Sequence, residues 1–174
     1  VTKRENRGGK EWTSAFIATK KFRQKYGYWE SRFRYAPATG MNQAFWMNNA
    51  VNDPAFFDPS AVRDKTKGGP AGFEIDVNEG HYPSTVNANL HQQGPPRLPS
   101  KPKVLKTDFD LAADFHLYAA EWNEKEVIYY FDGQEFHRAP NTNAHFEAPV
   151  LFSTAILPWA GPITESLNGA SMDV

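Results

Sequence analysis

The sequence predicts an all-β domain, a sandwich or a barrel of short strands. Helical periodicity is hard to find along the 174 residues, whereas alternating or continuous runs of β-forming residues are common. Phe, Trp and Tyr make up 14% of the chain, and aromatic side chains favour strands. Pro and Gly punctuate the segments between these runs, as in sandwiches and barrels. Because strands and helices do not alternate, a parallel α/β sheet is not expected.

Nine segments have the composition and the alternation of strands. They are residues 12–20, 26–35, 43–48, 72–79, 86–91, 116–122, 126–131, 134–138 and 150–156. Asp132-Gly133 separates two of them and is a strong signal for a two-residue hairpin. The predicted loops are residues 36–40, 52–59, 67–70 and 94–102. Residues 94–111 form one long loop, a length that is often functional.

Composition and charge exclude several classes of protein. Hydrophobic residues make up 40% and the net charge is −1, which indicates a globular domain without a nucleic-acid or membrane-surface partner. The absence of Cys excludes a thiol nucleophile and disulfides, and the five His show no closely spaced metal-binding pair. We therefore expect no cofactor and no metal. No apolar run is long enough to span a membrane.

The most informative segment is residues 72–80, GFEIDVNEG. Phe73, Ile75 and Val77 alternate with Glu74 and Asp76. Successive side chains of a strand point to opposite faces, so one face is apolar and the other carries two carboxylates. A solvated edge strand with acids placed by chance is the alternative, and the apolar partners argue against it.

Glu79 lies five residues after Glu74, an odd spacing that would turn it to the other face of a regular strand. A one-residue β-bulge near Val77-Asn78 would return it to the acidic face. Three carboxylates would then line one cleft, although they repel one another. Folding by itself gives no reason for such an arrangement.

Retaining glycoside hydrolysis needs this arrangement of carboxylates. One carboxylate attacks the anomeric carbon, while the other protonates the leaving oxygen and later activates water. Glu74 and Glu79 suit these roles, and Asp76 between them can share a proton or hydrogen-bond the nucleophile. Carboxylates held close together also raise one pKa, which keeps the acid protonated near neutral pH.

The run EIDVNE resembles the Glu-x-Asp-x-x-Glu signature of glycoside hydrolase family 16 in its bulged form. This family includes laminarinases, agarases, carrageenases and porphyranases. KYGYWESRFRY, NQAFWMNN and FHLYAAEWNEKEVIYYFDGQE also resemble segments of the family. The resemblance covers nearly the whole chain. It implies a β-jelly-roll sandwich of two antiparallel sheets with a concave substrate cleft.

The resemblance also implies roles for individual residues. Glu74 is the expected nucleophile, Asp76 the assisting residue and Glu79 the general acid/base. Trp46 and Trp122 are expected near the cleft, with packing in the protein as the alternative for each.

Further residues are candidates for substrate binding. The resemblance implies that His91, on the following strand, faces the catalytic strand. Alternation along 44–47 places Trp46 on the face opposite its apolar neighbours, and Asn48 shares that face and could hydrogen-bond a sugar hydroxyl. Trp159, in a loop, is a candidate sugar platform.

The chain is expected to be one catalytic domain over residues 1–174, truncated at both ends. Family members have further strands before Val1 and a closing strand after Val174. The calcium site of many members draws on those parts, so no calcium is expected. The chain does not begin with Met, and we expect a monomer that is secreted, periplasmic or on the cell surface.

The expected activity is endo-acting hydrolysis of a polysaccharide, with a β-1,3-glucan such as laminarin as the leading substrate. A marine galactan (agar, porphyran or carrageenan) is the first alternative. Basic loop residues that could contact its sulfates are Arg63, Lys65, Lys67, Arg97, Lys101 and Lys103. The second alternative is a non-catalytic carbohydrate-binding jelly roll, which would not need three acids on one face.

Overall fold

The computed structural model describes residues 1–49, 72–94 and 97–174. The predicted loops 52–59 and 67–70, and with them Arg63, Lys65 and Lys67, lie outside these ranges. The strands of the described residues are β1 (Lys3–Arg7), β2 (Lys10–Thr13), β3 (Phe16–Ala18), β4 (Gly27–Phe33), β5 (Met41–Asn48), β6 (Phe73–Gly80), β7 (Thr85–Gln92), β8 (Lys103–Lys106), β9 (His116–Trp122), β10 (Glu126–Phe131), β11 (Gln134–Pro140) and β12 (Val150–Ile156).

Two antiparallel sheets form the body of the domain. The six-stranded sheet has the order β3-β12-β5-β6-β7-β8, and the four-stranded sheet has the order β11-β10-β9-β4. A separate hairpin consists of β1 and β2. The predicted all-β sandwich is therefore confirmed.

An aromatic core lies between the two sheets. Phe33 and Tyr118 of the four-stranded sheet stack with ring centroids 4.0 Å apart. From the six-stranded sheet, Phe73, Ile75 and Val77 reach the same core and are at most 1% exposed. Because these alternate residues of β6 are buried, the residues between them face the outer side of the sheet.

The predicted hairpin at Asp132-Gly133 is confirmed. Asp132 has φ 47° and Gly133 has φ 77°, the left-handed pair that a type I′ turn requires. β10 and β11 pair on either side of this turn, from Phe131↔Gln134 to Glu126↔Pro140.

Two strands were not predicted, and one predicted strand is divided. β1 is fully exposed and consists of charged and polar residues, so it has no hydrophobic alternation. β8 lies within the predicted loop 94–111, where its four residues pair with β7 at the sheet edge. The prediction of a single loop over residues 94–111 is wrong. Three of the four β8 side chains are exposed, so the strand has no hydrophobic pattern and is defined by its backbone pairing with β7. The segment 12–20 divides because β2 pairs with β1, whereas β3 pairs with β12.

Helical structure in the described residues is short. Two 3-10 helices, Pro158–Ala160 and Glu165–Leu167, follow β12. Neither of them has the length or the apolar character that crossing a membrane requires.

Candidate active site

A β-bulge interrupts the pairing of β5 and β6. Trp46 pairs with Asp76, but the preceding residue, Phe45, pairs with Asn78. Val77 is therefore the extra residue on β6. The predicted bulge near Val77-Asn78 is confirmed.

The bulge determines which side chains of β6 share the outer face of the sheet. Val77 and Asn78 are both buried, at 1% and 0% exposure, so two successive residues avoid the outer face. Glu79 then pairs with Ala44, two residues from Trp46, and thus returns to the face that carries Asp76. We call the face that carries Glu74, Asp76 and Glu79 the acidic face.

Tyr35 holds the bulge from the core side. Its hydroxyl donates to Asn78 Oδ1 at 2.9 Å and lies 3.1 Å from the main-chain oxygen of Thr85. The Asn78 amide donates in turn to the main-chain oxygen of Gln43 at 2.9 Å. A Cβ atom at Gly80 would lie 2.2 Å from the Tyr35 ring, so the chain needs glycine there.

Amide side chains of β5 hydrogen-bond both glutamates. Asn48 Nδ2 donates to Glu74 Oε2 at 2.6 Å, and Asn42 Nδ2 donates to Glu79 Oε1 at 3.0 Å. These donors orient the two carboxylates from the same neighbouring strand. Asn48, predicted as a contact for a sugar hydroxyl, thus lies on the acidic face beside Glu74.

Asp76 is the most deeply buried of the three acids, with 3% exposure. His91, from β7, places Nε2 3.2 Å from Asp76 Oδ2 and 3.9 Å from Glu74 Oε1. Asn89 Nδ2 lies 2.8 Å from the same imidazole nitrogen. His91 therefore faces β6, the strand on which the family resemblance places the three acids.

Burial shifts the protonation of the site. It raises the pKa of Asp76 to about 8; the contact with His91 opposes this shift, and the charges of Glu74 and Glu79 add to it. Burial likewise raises the pKa of Glu79, while the Asn42 hydrogen bond lowers it. The contact with Asp76 raises the pKa of His91. A protonated Glu79 suits a general acid.

Two of the predicted tryptophans lie on or near the acidic face. Trp46 is partly exposed, and its indole nitrogen donates to Ser153 Oγ at 3.1 Å. Trp159 is 57% exposed, and its ring centroid lies 4.9 Å from that of His81. Since His81 follows Glu79 by two residues, Trp159 lies toward the Glu79 end of the face.

Trp122 does not line the cleft, and that prediction is wrong. Its side chain is 1% exposed, lies 5.3 Å from the Phe73 ring and donates to the main-chain oxygen of Ala144. The physical reason is strand parity. Trp122 belongs to β9 of the four-stranded sheet and points inward, so the core alternative is correct.

Asn42 and Asn89 were missed by the sequence prediction. Asn42 precedes Ala44 and Trp46 at spacings of two, so alternation alone places it on their face, but the predicted strand began one residue later. Asn89 precedes His91 by two residues and follows the same rule. The signal was present in both cases.

Buried polar atoms without partners are concentrated around the acidic face. Of the six such side-chain atoms in the described residues, four belong to this region: Asn42 Oδ1, Asp76 Oδ2, His81 Nε2 and Asn89 Oδ1. Buried polar groups are normally hydrogen-bonded, so this clustering calls for an explanation. These atoms are themselves shielded from solvent, so they lie beneath the face and are not open to a bound sugar.

A cavity extends the site beyond His91. It has a volume of about 290 Å³ and is bordered by His91, Gln93, Arg97 and Ser100 among others. Polar side chains and the Arg97 guanidinium thus line a cavity that reaches His91.

A two-sheet sandwich with a bulged strand that presents three carboxylates on its outer face is the arrangement that the resemblance to glycoside hydrolase family 16 implied. The sequence model of glycosyl hydrolases family 16 matches residues 5–161, so the chain belongs to that family.

Similar proteins include both sequence relatives and solved structures. Endo-1,3-1,4-beta-glycanase EglC of Rhizobium meliloti is 30% identical over 95% of this chain, and a beta-glucanase of Rhodothermus marinus is 29% identical over 76%. The matches span only 33% and 44% of those two proteins. The laminarinase catalytic domain of Thermotoga maritima superposes with a TM-score of 0.76 at 25% identity, covering 98% of this chain and 71% of that one.

A carrageenase also has this fold. The kappa-carrageenase of Zobellia galactanivorans superposes with a TM-score of 0.69 at 25% identity, covering 97% of this chain and 66% of that one. The fold thus matches enzymes named for different polysaccharides.

Proposed function

We propose that the protein is a retaining endo-β-glycanase that uses Glu74 as nucleophile and Glu79 as general acid/base. The observation that carries the proposal is the bulge at Val77, which places both glutamates and Asp76 on one face. Without it, Glu79 would point into the core.

Each glutamate has an environment that suits its role. Glu74 attacks the anomeric carbon, and the Asn48 amide at 2.6 Å orients its carboxylate. Glu79 protonates the leaving oxygen and then activates water for the second step. Burial raises the pKa of Glu79, which favours the protonated form that the first step needs.

Asp76 and His91 assist the nucleophile. The burial of Asp76 favours its neutral form, so that it places less negative charge beside Glu74. The His91 imidazole at 3.2 Å offers a second group that can hold or release this proton. The pair thereby limits charge repulsion among three carboxylates.

The surroundings of the acids suit a sugar chain. Trp46 presents an aromatic surface on the acidic face, and Trp159 presents another toward its Glu79 end. Asn48 and Asn42, beside the two glutamates, are further polar groups on this face.

The leading substrate is a β-1,3-glucan of the laminarin type. The names of the relatives support it, since they include an endo-1,3-1,4-beta-glycanase and a laminarinase. A sulfated galactan is the second candidate, because Arg97 borders the cavity beside His91 and could contact a sulfate. The fold shared with a kappa-carrageenase agrees with that candidate.

Product analysis on a panel of polysaccharides tests the activity. The protein, with its fold checked by circular dichroism, is incubated with laminarin, mixed-linkage glucan, agarose, porphyran and κ-carrageenan. We expect short oligosaccharides from laminarin and none from the galactans. Products from κ-carrageenan or porphyran alone would select the second candidate, and binding without products would indicate a carbohydrate-binding module.

Proton NMR of the first products tests the retaining mechanism. A double displacement at a β-linkage releases the β-anomer first, and mutarotation follows later. An initial α-anomer would exclude retention and with it the nucleophilic role of Glu74.

We further propose that the protein acts as a monomer outside the cell. The size of a polysaccharide substrate supports the location, because a polymer must be shortened before uptake. Size-exclusion chromatography with light scattering checks the oligomeric state, and a mass of twice 19.6 kDa would contradict a monomer.

A further inference from the structure

Three side chains on the acidic face have the arrangement of metal ligands. One oxygen each of Glu74 and Asp76 and one ring nitrogen of His91 lie within 4.8 Å of one another. The linear spacing showed no metal motif, because His91 meets the two acids across strands: it pairs directly with Glu74.

The two separations that involve His91 are close to those of a tetrahedral site. Two ligands about 2.1 Å from a zinc ion at the tetrahedral angle lie about 3.4 Å apart. His91 Nε2 lies 3.2 Å from Asp76 Oδ2 and 3.9 Å from Glu74 Oε1, on either side of that value. Glu74 and His91 are partly exposed, and binding one ion would require these two side chains to rotate toward it.

A second observation points to a ligand at this place. Asp76 Oδ2 is buried, accepts no hydrogen bond from the described residues and is directed at His91. A buried carboxylate oxygen without a hydrogen bond destabilises the folded protein unless it is protonated or binds a cation. A divalent ion would also neutralise the repulsion between Glu74 and Asp76.

The ligand chemistry selects the type of cation. An imidazole nitrogen with two carboxylates suits zinc and similar transition-metal ions, whereas calcium and magnesium prefer oxygen ligands throughout. In the neutral tautomer that carries its proton on Nδ1, His91 Nε2 accepts from the Asn89 amide at 2.8 Å, and the same lone pair can bind a cation. The cation replaces the amide at that lone pair.

We propose that Glu74, Asp76 and His91 bind one zinc ion, and that the bound ion inhibits hydrolysis by occupying the nucleophile. The inhibition rests on the proposed role of Glu74, whereas zinc binding does not. With three protein ligands, the fourth position opens toward the substrate side of the acidic face. Zinc and polysaccharide should therefore compete.

Calorimetric titration with zinc chloride tests the binding. The protein is purified without a polyhistidine tag and treated with a chelator first. We expect one zinc ion per chain, released by EDTA, and no comparable binding of magnesium or calcium. His91→Gln and Glu74→Gln should each weaken zinc binding at least tenfold, because each removes one of three ligands.

His116→Gln is the matched control. His116 Nδ1 also contacts a carboxylate, at 2.7 Å from Asp132 Oδ2, but no third ligand joins that pair in the part of the chain that the structure describes. The His116→Gln variant should bind zinc as tightly as the unmodified protein does. Thermal melting in EDTA verifies that each variant is folded, and Glu74→Gln carries the test if His91→Gln is not.

The outcomes separate this inference from the proposed function. Absent zinc binding, or equal affinity in Glu74→Gln, His91→Gln and the unmodified protein, would overturn the inference even if polysaccharide is cleaved. Specific zinc binding in a protein that cleaves no polysaccharide would leave the zinc site standing and remove the proposed activity. Where cleavage is found, zinc should inhibit it competitively and EDTA should restore it.

Discussion

At the scale of single residues, the two glutamates share one feature: each accepts a hydrogen bond from a side-chain amide of the same neighbouring strand. Asn48 contacts Glu74 and Asn42 contacts Glu79, and each amide comes from β5. Surface carboxylates such as Glu30 lie instead on the outer face of the other sheet. Glutamates on the outer faces of the two sheets therefore have different surroundings.

Replacing the nucleophile should abolish hydrolysis without abolishing binding. Glu74→Ala removes the attacking carboxylate, while Trp46 and the other polar groups remain. We expect no detectable products, and binding weakened by no more than about tenfold, roughly 1.4 kcal/mol. Reducing-sugar release and a pull-down on insoluble polysaccharide measure the two effects. Glu30→Ala is the control and should hydrolyse normally; undiminished hydrolysis by Glu74→Ala would refute the assignment.

Removing the Asn42 amide should move the alkaline limit of activity upward. The Asn42 hydrogen bond lowers the pKa of Glu79, so Asn42→Leu raises it further. The general acid must be protonated, and activity is lost as the pH rises through its pKa. A pH profile of kcat/KM should therefore extend to higher pH.

The control for this pH shift is Asn87→Leu, on the opposite neighbouring strand. Its amide donates to the main-chain oxygen of Glu79 at 2.9 Å rather than to the carboxylate. Its alkaline limit should stay that of the unmodified protein. An alkaline limit that moves to lower pH in Asn42→Leu would contradict the role given to Glu79.

At the scale of elements, the bulged strand depends on its support in the core. Tyr35 contacts Asn78 and the main chain of Thr85, and its ring occupies the space left by the missing side chain of Gly80. The conformation of β6 is thus held from the side opposite the acids. Damage to this support should affect stability and activity together.

Tyr35→Phe tests this support. The change leaves buried polar groups of Asn78 and Thr85 without a donor, which costs about 1–3 kcal/mol. Chemical denaturation should show that loss, and kcat should fall because Glu79 is less well placed. Tyr28→Phe is the matched control, since Tyr28 is 56% exposed and its hydroxyl contacts Glu30. Equal stability of the two variants would exclude a special role for Tyr35.

At the scale of the whole molecule, the inner faces of the two sheets form the core, and the outer face of the six-stranded sheet carries the candidate site. The inner faces carry the aromatic core that includes Trp122 and Phe73. The outer face of the six-stranded sheet carries Trp46 and the acids, and Trp159 follows its last strand. Tryptophans of the same chain therefore differ in what they contribute.

Trp122→Ala and Trp159→Ala should separate the contribution to stability from the contribution to polysaccharide binding. Trp122 is buried, so its loss should cost about 3–5 kcal/mol of unfolding free energy. Trp159 is 57% exposed, so its loss should change stability by no more than about 0.5 kcal/mol but weaken polysaccharide binding. Denaturation curves and affinity electrophoresis check the pair. The assignment fails if Trp159→Ala destabilises as much as Trp122→Ala.

The sequence alone determined the all-β class, the hairpin at Asp132-Gly133 and the bulge near Val77. These features depend on local rules: alternation, turn chemistry and the odd spacing of Glu79 from Glu74. Strand boundaries were less accurate, and β1 and β8 were missed because exposed edge strands have no hydrophobic pattern. Asn42 lay within reach of the alternation rule but outside the predicted strand.

Only the tertiary structure decided which side of the sandwich each face meets. Alternation shows that a residue of a strand has one of two orientations, but it does not show which of them is inward. Trp122 points into the core because it shares one face of β9 with the buried Tyr118 and Ala120. His91 meets Glu74 and Asp76 because register places β7 beside β6. These contacts depend on strand pairing and burial between distant segments of the chain. The local spacing of residues does not determine either of them.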